Sequence, residues 1–102
     1  MEGHASISTD VLARYAADAA REVEGVRGLV DSALHRHRGV RVNGADPLAG
    51  VTVELHVDVA WGVSIPAVGE QVQRRVRDYL ERMAGARPLA VNVVVDEIGP
   101  PE

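Results

Sequence analysis

The chain has 102 residues, a net charge of -4 and an apolar fraction of 46%. A chain of this length is expected to bury roughly 60–70% of its unfolded surface, so one core is feasible without covalent staples. The absence of cysteine excludes a disulfide framework, a thiolate zinc site and a thiol nucleophile, and the negative balance disfavours general affinity for nucleic acid or anionic lipid while permitting local basic patches.

Aromatic side chains are few: Trp61, Tyr15 and Tyr79, with no Phe. Val and Ala must therefore carry the core. All 11 cationic residues are Arg, whose planar fork suits carboxylates and phosphates. The opening "MEGHASISTD" has neither a basic n-region nor an apolar h-region, so it is not read as a signal peptide. No apolar run approaches the ~20 residues that span a bilayer. The expectation is a soluble, cytoplasmic single domain over 1–102, with an ordered core at about 7–98 and flexible ends at 1–6 and 99–102.

"STDVLARYAADAAREVEG" reads as a helix capped by Ser8 or Thr9, with Asp10 near its positive end. Val11, Tyr15, Ala19 and Val23 recur every four residues, and Leu12, Ala16 and Ala20 widen the stripe. Gly25 or Gly28 ends it. In "VRGLVDSALHRHRGVRVNG" no period dominates. We expect a strand reaching about His35, a turn at Arg38-Gly39 and a short return strand over 40–42. "NGADPLAG" is a turn-rich loop.

"GVTVELHVDVAWG" alternates strictly. Val51, Val53, Leu55, Val57, Val59 and Trp61 share one face, and Thr52, Glu54, His56, Asp58 and Ala60 the other. Such a strand has one dry and one wet side. After the corner at Gly62, "IPAVGEQVQRRVRDYLERMAG" is the longest helix, with Pro66 in its first turn. Its apolar stripe is Val68, Val72, Val76, Tyr79, Leu80 and Met83. Glu70–Arg74 and Asp78–Arg82 are spaced as i,i+4 pairs. Trp61 and Ile65 are expected to plug the end of the core. Gly85 stops the helix, and "LAVNVVVDEIG" follows as a strand with Leu89, Val91, Val93 and Val95 on one face. The fold class is α+β: a small mixed, mainly antiparallel sheet of three to four strands, with two helices on one face.

Candidate chemistry is sparse. His35 and His37 would share a strand face, and with His56 could meet a metal only if the strands pair in register; a solvated hairpin tip explains them better, and no metal or cofactor is expected. Arg36, Arg38 and Arg41 could form an anion or RNA patch, but no aromatic stands nearby for base stacking. Arg74, Arg75 and Arg77 on the long helix read first as an ion-paired solvated face, and second as a docking surface for an acidic partner. Glu54 and Asp58 lie about 13 Å apart along a strand, too far for a glycosidase pair. No nucleophile elbow, phosphate loop or dinucleotide fingerprint is present. The chain is not expected to be an enzyme.

Two stretches carry a family likeness. "GVSIPAVGEQVQRRVRDYLERMAG" followed by "VNVVVDEI", together with "ISTDVLARYAADAAREVEGV" at the front, resembles the alkaline shock protein, or Gls-type envelope stress, family. The resemblance spans about 7–98. Trp61 stands where that pattern more often has Tyr, Gly69 where it has Ala, and "LHRHRGVRVNGADPLAG" matches least. The resemblance implies a non-enzymatic cytoplasmic bacterial protein of cell-envelope stress or homeostasis. Its implied partners are further copies of itself and a membrane-anchoring protein. The alternative function is a small nucleic-acid-binding module using the Arg patches.

Overall fold

The computed structural model describes residues 7–31 and 39–101. The elements run α1 (Thr9–Arg21), β1 (Val26–Leu29), β2 (Val40–Asn43), β3 (Val51–Val59), α2 (Ile65–Ala84) and β4 (Pro88–Ile98). His35, Arg36, His37 and Arg38 lie outside the described residues. Among the described residues no helix is long and apolar enough to cross a membrane.

Ser8 caps α1 by accepting the Val11 N–H at 3.2 Å. The helix closes at Arg21 with Glu22 as its C-cap, before either glycine that the sequence offers as a stop. Its buried side is almost all alanine (13, 16, 17, 19 and 20) around Leu12. Tyr15 meets Tyr79 of α2 edge-on, ring centroids 5.7 Å apart, a favoured aromatic geometry.

β3 is the centre of the sheet. Val51, Val53, Leu55, Val57 and Val59 are all buried under the helices. β1 and β2 pair antiparallel with β3, and β4 pairs parallel with it on the other side. β2 is not a return strand lying against β1, as the sequence suggests. Both run in the same direction and share one edge of β3, β1 opposite residues 57–59 and β2 opposite residues 52–55.

The reason is local. Val30 N–H donates to His56 O at 2.9 Å, and His56 N–H donates to Gly39 O at 2.8 Å. The chain leaves the edge and rejoins it at the same β3 residue. Where the two limbs meet, Gly39 has φ +84°, and a Cβ there would stand 2.6 Å from Val30 O; only glycine fits. β1 and β2 are thus one interrupted strand.

The β3–α2–β4 unit is a crossover between parallel neighbours. Gly62, at φ +86°, makes the corner; Ser64 accepts the Ala67 N–H at 3.3 Å, Pro66 sits in the first turn and Gly85 is the C-cap. The fold is therefore α+β, a mixed sheet roofed on one side by two helices. Trp61 and Ile65 do not plug the core, however: they are 62% and 39% exposed. β3 ends at Val59, and the turn carries both off the strand's alternation. Met83 is exposed too, because the buried line of α2 is the four-residue repeat Val68, Val72, Val76 and Leu80. Leu89 departs from its expected face for another reason. A bulge sets Val51 opposite Pro88 but Thr52 opposite Ala90, and the skipped Leu89 is 59% exposed.

Candidate functional site

Among the described residues no helix covers the side of the sheet away from α1 and α2. Register places its residues in rows: Asn43, Thr52 and Ala90; Arg41, Glu54 and Asn92; His56 and Val94; Gly28, Asp58 and Glu97. The expected wet face of β3 is therefore real, and β4 adds Asn92 and Val94 to it.

His56 sits at the centre with a side chain only 13% exposed. Its Nδ1 is 2.6 Å from Asp96 Oδ2, and its Nε2 is 3.2 Å from Glu54 Oε2. Asp96 reaches it because a second bulge skips that residue between the Val57–Val95 and Asp58–Glu97 pairs. Burial alone would lower the imidazole pKa. The hydrogen bonds to Asp96 and Glu54, with the negative charge of both, outweigh burial and raise it above its ordinary value. When the ring is protonated, both of its N–H groups donate to carboxylates. The group is a cross-brace between β3 and β4. Beside it, Arg27 Nη1 stands 3.5 Å from Asp58 Oδ2. Among the described residues, no three His, Asp or Glu are grouped so as to hold a metal.

Among the described residues the candidate arginines do not converge. Arg41 lies exposed on the open sheet face opposite Glu54. Arg74, Arg75 and Arg77 lie on α2, across the sheet from it. Arg75 Nη1 donates to Glu22 Oε2 at 3.1 Å, Arg77 Nη1 to Pro88 O at 3.0 Å, and Arg82 Nε to Asp78 Oδ2 at 2.9 Å. Arg74 borders a shallow recess with Val23, Gln71 and Asp78. On this face Arg75 and Arg82 are paired with carboxylates and Arg77 with a carbonyl. Sequence reasoning misses Asp96. The alternation signals Glu54 and Asp58 beside His56, whereas Asp96 arrives only through a parallel register and a bulge.

A second surface is the outer edge of β4, which among the described residues pairs with β3 alone. A third is the end of the molecule where Trp61, Arg27, Gly99, Pro100 and Pro101 surround a cleft.

In architecture the chain is similar to MamM CTD structures. One variant aligns with a TM-score of 0.59 at 15% identity, covering 90% of this chain and 96% of that one. Another gives 0.58 at 13% identity, covering 88% and 99%. At such identity the likeness is one of fold; the copper, manganese and cadmium forms among these structures concern those proteins. Closer in sequence is the uncharacterized protein YqhY of Bacillus subtilis, 32% identical over 101 residues, 89% of this chain and 73% of that one. The uncharacterized protein Spy1614 of Streptococcus pyogenes is 30% identical over 109 residues, 95% of this chain and 88% of that one. Residues 1–100 match the family model itself, and the chain belongs to the alkaline shock protein 23 family, whose function is cell envelope-related.

Proposed function

We propose that this chain is a non-enzymatic interaction protein of cell-envelope stress and homeostasis, working in the cytoplasm by self-association and by contacts with other proteins. The observation that carries this reading is the one-sided sheet. Both helices roof one face, while the opposite face and the outer edge of β4 are left accessible. The central histidine supports it, since its nitrogens are spent on holding two strands together. A membrane-anchoring protein is the second partner that the family likeness suggests.

The test is molar mass by light scattering from micromolar to about millimolar protein, with a pull-down from the native host. Mass should rise with concentration. A strict monomer throughout, with no protein retained, overturns the reading.

A further inference from the structure

Along β4, residues whose backbone groups face β3 alternate with residues whose groups face outward. Two hydrogen bonds from α2 mark outward carbonyls on either side of the Leu89 bulge, which resets the alternation so that Val91 sets the outward series beyond it. Gln73 Nε2 donates to Val91 O at 3.0 Å, and Arg77 Nη1 donates to Pro88 O at 3.0 Å. Carrying the alternation on, Val93 and Val95 turn their N–H and C=O groups outward, until the bulge at Asp96 interrupts the pattern.

Gln73 and Arg77 are one helical turn apart and lie on one stripe of α2. Each turn toward the start of α2 advances two positions of register along β4: Pro88 pairs with Val51, and Val91 with Val53. The next position up the stripe is Gly69, level with Val93. It has no side chain with which to cap, and a Cβ built there would meet nothing within 4 Å. So α2 caps two carbonyls in the first half of the edge, and among the described residues no such cap reaches residues 93–95. Between residues 89 and 98 there is neither Lys nor Pro to blunt the strand. A valine-rich edge of this kind is a template for another strand.

We propose that residues 93–95 of β4 pair antiparallel with the same residues of a second copy, about a twofold axis through Val94, joining two sheets into one. This rests on the self-association reading above and names its surface. A second copy fits because the segment is self-complementary. Val93 stands opposite Val95 of the other copy, twice over, and each such pair exchanges both N–H···O=C bonds. Val94, on the open face and 36% exposed, meets its own counterpart. Two residues out, the Asn92 amide faces the Asp96 carboxylate of the other copy, which His56 already holds in place. The contact is isologous and closes as a dimer.

The chain has no cysteine, so a single introduced thiol reports cleanly. In this register the two Val94 Cα atoms lie about 4.5 Å apart, within the disulfide range. Under mild oxidation at micromolar concentration, V94C should give a covalent dimer. N43C, exposed at the opposite edge of the same face, should not. G69Q extends the capping stripe and should raise the concentration at which dimers form by about tenfold, the order expected for two neutral hydrogen bonds. G69A adds no cap and should dimerise like the unmodified chain. Both replacements improve helix propensity, so weakened association in G69Q cannot be charged to unfolding. Suppose the unmodified chain associates, but V94C cross-links no better than N43C, or G69Q associates as tightly as G69A. Then the edge is the wrong surface, and self-association proceeds through another. A chain that remains monomeric at about millimolar removes the surface and the self-association reading together.

Discussion

His56 holds β4 to β3 by hydrogen bonds and, when protonated, by charge, and that makes its contribution depend on pH. Its folded pKa is raised above the unfolded value of about 6.5. The stabilisation is therefore fully present below that unfolded value and is lost as pH rises through the folded one. Urea midpoints measured across this window should fall with rising pH, and His56→Gln should flatten the slope. An NMR titration should show Asp96→Asn lowering the His56 pKa more than Glu54→Gln, given contacts of 2.6 and 3.2 Å. No shift in either variant would show the clamp to be absent in solution. Leu55 is the apolar counterpart, fully buried at the middle of β3. Leu55→Ala should cost about 2–5 kcal/mol of unfolding free energy in urea, through lost transfer energy plus the cavity left behind.

At the scale of elements, ends and junctions decide more than interiors. Ser64→Ala removes the acceptor for the Ala67 N–H and should cost about 0.5–2 kcal/mol, read as a lower urea midpoint. Gly39→Ala should do worse, since it adds a clash with Val30 O to a left-handed backbone; a midpoint within error of the parent would mean that the two limbs do not meet as described. Both helices and the middle strand are legible in the chain because periodicity is a local property. Alternation marks β3, a four-residue repeat marks α2, and Ser8, Pro66 and Gly85 mark where helices begin or stop. The two bulges are not legible, because Leu89 and Asp96 are skipped only by a register that β3 imposes from outside. For the same reason β1 and β2 resemble a hairpin until β3 is in place. The candidate site divides likewise. Glu54, His56 and Asp58 can be read from their spacing, while Asp96, the closest contact of the imidazole, cannot. Trp61 escapes the pattern because β3 ends at Val59, two residues before it.

For the whole molecule, the helix-covered and open sides carry different chemistry. The α2 arginines are largely engaged with Glu22, Asp78 and the Pro88 carbonyl, and Arg41 stands on the other side of the sheet. No continuous basic track joins them among the described residues. Labelled single-stranded RNA should accordingly show little binding at low salt; tight binding that weakens steeply as salt rises would restore the nucleic-acid alternative. Trp61 offers a convenient report on the assembled state. At 62% exposure its emission should already be red-shifted and quenchable by iodide in the folded monomer, changing little on denaturation. A blue shift on adding a partner would place that partner at the end of the sheet beside Arg27 and Pro100.

Val30 and Gly39 stand side by side against one residue of β3, so whatever chain joins them begins and finishes at a single doorway. The closure distance is thereby set by the sheet itself, and lengthening a segment between fixed neighbouring ends adds only a slowly growing entropic penalty.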